Sequence, residues 1–249
     1  MAVKIKRVLV LPDLHVPMEC IRSLKTVEEV MADHKWDEII QLGDFLDMNS
    51  ISSHNDGKPG NVEGETLAGD FAAANAILDR WQRIAPKAKF TILEGNHEER
   101  ILRYLSKYPP LKGQIEVPIN LHLKKRGINW VPSWSEGKLY KVGNAYFHHG
   151  LYTNDHFAKK MVTQFGVTTF FGHTHSFQSY TYPQYGKGRV LMGQSLGCLC
   201  RPQPYMKGVP DRWEQGFAAL TFLGDDFYTP NVVRIFRHRF WFEGKVYQG

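Results

Sequence analysis

Five short stretches of this 249-residue chain place metal-ligating side-chain types directly after an apolar run. LVLPDLH carries Asp13 and His15, and IIQLGDFLD carries Asp44 and Asp47. TILEGNHE carries Asn96 and His97, AYFHHG carries His148 and His149, and TTFFGHTH carries His173 and His175. Carboxylate, amide and imidazole donors in this mixture suit hard or borderline divalent cations. The five stretches hold no thiolate, which sets them apart from a structural zinc finger. Any one stretch alone is commonplace. A lone Asp-x-His is frequent, an Asn-His after glycine is usually a turn, and neighbours such as His148 and His149 on a strand point to opposite faces. The weight lies in five stretches with one placement and one chemistry. In open α/β sheets, ligands gather at the carboxyl ends of the strands.

The elements that would position these residues follow from periodicity. Residues 4–11 end in a near-continuous Val/Leu run, as in a strand buried on both faces. Apolar positions at Ile21, Leu24, Val27 and Met31 give 19–34 a helical rhythm, and 37–42 form a second strand. Such a strand–helix–strand unit implies parallel pairing. Leu67, Phe71, Ala74, Leu78, Trp81 and Ala85 line one face of a helix over 66–85, which Pro86 stops. A third strand covers 88–93, and a helix follows through about Lys107. LYKVG and AYFHHG, residues 139–150, read as a hairpin around Gly143-Asn144. A helix over 154–165 and strands at 167–171, 177–182, 189–193, 217–223 and 231–236 complete the chain. Residues 48–65 read as a long polar loop, 108–137 as an insertion or connection, and 195–216 as a long loop of the kind that often carries function. The expected class is α/β: a four-layer α/β/β/α sandwich of two mixed sheets flanked by helices, built as one domain over 1–249.

The motifs D-L-H at 13–15, G-D-F-L-D at 43–47, G-N-H-E at 95–98, H-G at 149–150 and G-H-T-H at 172–175 together resemble the calcineurin-like metallophosphoesterase superfamily. They run in the family's order over roughly the first 175 residues. The resemblance implies two divalent metal ions, manganese first, with iron, zinc, nickel or cobalt as alternatives. Asp13, His15 and His175 would hold one ion; Asn96, His149 and His173 would hold the other; Asp44 would bridge them. It also implies that His97 acts as a general acid, with Asp47 hydrogen-bonded to it. His149 directly precedes the glycine and is therefore preferred to His148. Arg100 is a candidate for a substrate phosphate oxygen. Arg201, Lys207 and His54 are weaker candidates, and Tyr205 and Trp213 could wall a substrate site.

The reaction implied is hydrolysis of a phosphate ester by a hydroxide shared between the ions. Family protein phosphatases read GDxHG and GDxxDRG where this chain has PDLHVP and GDFLDMN. The departures favour the phosphodiesterase and nuclease branches, with nucleotides or nucleic acid as substrate. A phosphomonoesterase and a metal-free binding scaffold of the same fold are the alternatives. The net charge of +6 leans toward anionic partners. Three cysteines, Cys20, Cys198 and Cys200, argue against a disulfide framework and fit a reducing compartment. The first apolar run is too short for a signal peptide and none reaches membrane-span length, so the expectation is cytoplasm, or host cytoplasm for a viral protein.

Overall fold

The computed structural model describes residues 4–202, 213–225 and 227–249. Strand β1 (Ile5–Leu11) is the hinge of the architecture, because its side chains alternate between two cores. Val8 and Val10 face one cluster, and Leu9 and Leu11 face the other. This is the period-2 geometry of a strand buried on both faces.

Six strands form the first sheet in the order β11-β10-β1-β2-β3-β4. Here β2 is Glu38–Gln41, β3 Lys89–Leu93, β4 Asn129–Val131, β10 Gln215–Leu223 and β11 Phe227–Ile235. The β1–β2, β2–β3 and β3–β4 pairs are parallel. The β1–β10 and β10–β11 pairs are antiparallel. The second sheet has the order β5-β6-β7-β9-β8. Its strands are β5 (Tyr140–Val142), β6 (Ala145–Phe147), β7 (Thr169–Phe171), β8 (Ser179–Gln184) and β9 (Arg189–Ser195). Between the sheets, Val8, Val10, Ile40 and Leu93 pack with Phe147, Phe170 and Phe222.

Helices α1 (Ile21–Asp33) and α2 (Leu67–Ile84) cover the outer face of the first sheet. Leu24, Val27 and Met31 of α1 and Phe71, Leu78 and Trp81 of α2 join Leu9 and Leu11 there. Thr66 caps α2 by accepting from the Gly69 N–H at 3.0 Å. Helix α3 (Asn96–Lys107) follows β3 directly. On the far side, α6 (Phe157–Phe165) packs Phe157, Ala158 and Met161 on Phe171. The result is the expected sandwich of two mixed sheets between helical layers.

Segment 108–137 is more than an insertion. It holds two single-turn helices, α4 (Val117–Asn120) and α5 (Leu123–Arg126), and it supplies edge strand β4. Loop 48–65 contains three 3-10 turns. The C-terminal hairpin of β12 (Arg239–Phe242) and β13 (Lys245–Gln248) lies beyond the last expected strand. Phe240, Phe242 and Tyr247 of that hairpin enter the core beside Phe217.

Candidate metal centre

Each of the five motifs leaves a strand or enters a helix at the same edge of the two sheets. Asp13 and His15 follow β1, Asp44 and Asp47 follow β2, and Asn96 and His97 open α3 directly after β3. His148 and His149 follow β6, and His173 and His175 follow β7. Short loops at these ends bring residues 160 positions apart into contact. His15 Nε2 lies 3.1 Å from His175 Nε2.

One oxygen gathers the cluster. Asp44 Oδ2 stands 3.4 Å from His149 Nε2, 3.5 Å from His15 Nε2 and 3.8 Å from His97 Nε2. The other oxygen, Oδ1, is occupied by the His97 backbone N–H at 2.9 Å. Two donor groups share Asp44: one with Asp13, His15 and His175, the other with His149 and His173. Asn96 Oδ1 joins the second group at 2.9 Å from His149 Nε2. Asp13, His15, Asp44 and His149 are buried, whereas Asn96, His173 and Arg100 are partly exposed, so the centre opens on their side.

Surrounding hydrogen bonds fix which ring nitrogens face inward. His15 Nδ1 donates to Asp47 Oδ1 at 3.0 Å, and His149 Nδ1 donates to the Leu42 carbonyl at 3.1 Å. Neutral rings held this way present bare Nε2 lone pairs to the centre. His149 Nε2 then faces the Asn96 and Asp44 oxygens, acceptor against acceptors. A cation between them resolves that opposition, so the donor set fits divalent metal. A proton does so in a metal-free protein. Burial alone would lower the His149 pKa, but the Asp44 carboxylate overrides it, with Asp13 adding, and raises it to about 9. Burial, aided by the His149 charge, pushes His173 the other way, to about 4.

Two glycines let carboxylates approach. A Cβ on Gly172 would sit 1.9 Å from Asp13 Oδ2, and one on Gly95 would sit 2.2 Å from Asp44 Oδ1. The Asp13 carboxylate accepts the His173 N–H at 2.9 Å across Gly172. Glu98 holds the neighbouring turn, with its oxygens accepting from the N–H groups of Asp44, Leu46 and Gly95 at 2.8–3.0 Å.

Asp47 contacts both His97 and His15. Its carboxylate serves His15, and its carbonyl is the closer partner of His97, at 2.7 Å from Nδ1 against 3.3 Å for Oδ1. Arg100 stands beside His97, donating to the Asp47 carbonyl at 2.8 Å and to His97 Nε2 at 3.0 Å. His148 lies outside the donor groups. Its Nδ1 accepts from the Gly150 N–H, and its ring lies against Phe165. His54 borders a cavity with Arg100. Arg201 is drawn to Met18. Lys207 and Tyr205 lie outside the described residues.

Three contributors escape sequence reasoning. Trp134 packs on His149 and His173, with ring centroids 5.6 and 5.0 Å away. Cys200 Sγ comes within 4.8 Å of ring nitrogens of His15 and His175. Nothing in the spacing of either residue signals this. Glu98 did carry a signal, because a Glu at the third position of a helix can accept the N-cap backbone N–H, as it does from Gly95 at 2.8 Å. Trp213, expected at a substrate wall, stands edge-on to His175 with ring centroids 4.1 Å apart.

The chain matches the calcineurin-like phosphoesterase family over residues 6–177, and it belongs to that family. Members of the family typically bind divalent metals and hydrolyse phosphate esters. Among individual relatives, the chain is 26% identical to the gene 54 protein of Mycobacterium phage D29, over 98% of this chain and 99% of that one. It is 25% identical to the gene 54 protein of Mycobacterium phage L5, again over 98% and 99% of the two chains. Its fold is similar to that of vacuolar protein sorting 29 from Cryptosporidium parvum, with a TM-score of 0.52, 12% identity and 98% and 99% coverage. Among the described residues no helix is long and apolar enough to cross a membrane.

Proposed function

We propose that this chain, acting as one domain over residues 1–249, is a dinuclear metal-dependent phosphodiesterase of nucleotides or nucleic acid. The observation that carries the reading is the single oxygen Asp44 Oδ2 facing both donor groups, with His97 Nε2 3.8 Å from it. Asp13, His15 and His175 would hold one divalent ion and Asn96, His149 and His173 the other, with Asp44 available to both. Manganese is the first candidate. When bound, two such cations supply the charge that activates water and neutralises the phosphoryl oxygens.

The remaining steps belong to the chain's own groups. Arg100 turns from His97 Nε2 to a phosphoryl oxygen as substrate arrives, since a guanidinium prefers an anionic partner. His97, still donating from Nδ1 to the Asp47 carbonyl, takes up a solvent proton on the Nε2 that Arg100 vacates and delivers it to the leaving oxygen. Asp47 keeps both His15 and His97 in orientation. The burial of Asp13, His15 and His149 keeps bulk water from the closed side. The phage origin of the gene 54 relatives supports a site of action in the cytoplasm of a bacterial host.

The test is metal analysis together with hydrolysis of bis(p-nitrophenyl) phosphate in Mn²⁺. Two ions per chain and turnover are expected, and Asp44→Asn should abolish both. A folded, fully metal-loaded protein inactive on every ester would refute the reading. A preference for p-nitrophenyl phosphate over the diester would move it to a monoesterase.

A further inference from the structure

From the open side of the centre, one face of α3 continues outward. Asn96, Arg100, Tyr104 and Tyr108 recur every four residues, with Arg103 and Lys107 beside them, and all six line a cavity of about 180 Å³. Ser53 and His54, from loop 48–65, form its other wall. At 1.5 Å per residue the stripe from Asn96 to Lys107 runs roughly 16 Å, the length of a few nucleotides. The Tyr104 and Tyr108 rings lie 4.7 Å apart, tilted by 42°, and Tyr108 is half exposed. Cations alternating with aromatic faces along a groove are the general means of holding a single strand, with phosphates on the cations and bases on the rings.

The cations are engaged in ways a phosphate can replace. Arg103 donates to Glu99 at 2.6 Å, and Lys107 donates to Asp56 at 2.8 Å. Lys107 and Asp56 are both exposed, and Arg103 is exposed with Glu99 partly buried; pairs at the surface contribute little to stability. We infer that this face of α3 is a track for single-stranded polynucleotide, leading from the scissile phosphate at the metal centre across Tyr104 and Tyr108. The inference rests on the phosphodiesterase reading for where the strand ends. The binding itself needs only the stripe.

The test uses the full chain and fluorescein-labelled oligothymidine, oligouridine and a duplex, read by anisotropy in EDTA so that nothing is cleaved. Either single strand should bind more tightly than the duplex, and comparing the two separates DNA from RNA. Tyr104→Ala should weaken strand binding roughly 5- to 150-fold. Tyr108→Ala, at a more exposed position, repeats that test with less demand on the fold. Arg103→Ala with Lys107→Ala should flatten the salt dependence by roughly 0.7 in log–log slope per cation removed. Lys159→Ala on α6 serves as the basic control. Undiminished strand binding in the tyrosine and double variants, or preference for duplex, would overturn the track. Strand binding that depends on these residues in a protein that cleaves no diester would overturn the phosphodiesterase reading and leave the track standing.

Discussion

Replacing His97 separates proton delivery from metal binding. In the resting site the proton of His97 lies on Nδ1, 2.7 Å from the Asp47 carbonyl, because Nε2 accepts from Arg100 at 3.0 Å. Nε2 also looks toward Asp44 Oδ2 at 3.8 Å, and His97 belongs to neither donor group that shares Asp44; its own group, with His15 and Asp47, shares only His15 with the proposed ligands. His97→Ala should therefore leave both ions in place. Loss of a general acid costs about 10²- to 10⁴-fold, or roughly 3 to 5 kcal/mol of barrier. That loss applies only where the leaving oxygen needs a proton. p-Nitrophenolate departs unaided, whereas a nucleoside alkoxide does not. The assay compares kcat/KM of the two proteins on bis(p-nitrophenyl) phosphate and on a dinucleotide, with metal content measured on the same samples. A slowing of about a hundredfold or more confined to the dinucleotide supports the role. Equal slowing on both substrates, or metal lost along with activity, would refute it.

Gly172→Ala puts a methyl 1.9 Å from Asp13 Oδ2, so that carboxylate must move by more than about 1 Å to reach ordinary contact; metal analysis should show the Asp13 ion lost first. Metal uptake should release protons, because His149 holds one up to about pH 9 until a cation replaces it. With the folded pKa raised from 6.5, that proton's stabilisation is complete below pH 6.5 and fades toward pH 9, on the order of 3 kcal/mol in all. The rise in melting temperature on adding Mn²⁺ should therefore grow from pH 6.5 to 9 and then level. A shift flat across that window would count against His149 as the protonated stand-in.

Much of the architecture is legible because burial imposes period. The Val/Leu run before Asp13 and the spacing of Leu67, Phe71, Ala74, Leu78 and Trp81 admit one element each. Strand β4 is not legible this way, because three residues, Asn129–Val131, are too short for a pattern and gain their strand only by pairing with β3. The β12–β13 hairpin did have a local signal in Glu243-Gly244. Both residues take positive φ, the geometry of a tight hairpin turn. The grouping of Asp13, Asp44, His149, His173 and His175 is legible from types and strand ends. Trp134 and Cys200 are not, since only tertiary packing brings them to the imidazoles.

Backbone conformation at the motifs explains why types and order carried the signal while propensity could not. His15, Asp44, His173 and His175 all have positive φ, at 51°, 48°, 72° and 55°. None is glycine, and each such residue costs on the order of 1–3 kcal/mol. Propensity alone would put glycine or asparagine at these turns. A side chain is needed there because the left-handed turn redirects the chain within two to four residues of a strand end. That redirection aims an imidazole or carboxylate back over the sheet edge toward Asp44 Oδ2. The cost is met by the surrounding frame: Glu98 accepts the Asp44 N–H, the Asp13 carboxylate accepts the His173 N–H, and the Asp44 carbonyl accepts the N–H groups of Leu14 and His15. Gly95 and Gly172 sit where the aimed carboxylates need the room. Gly43 before Asp44 and Gly172 before His173 are thus the sequence trace of a site whose conformational demands fall on the residues that do the chemistry.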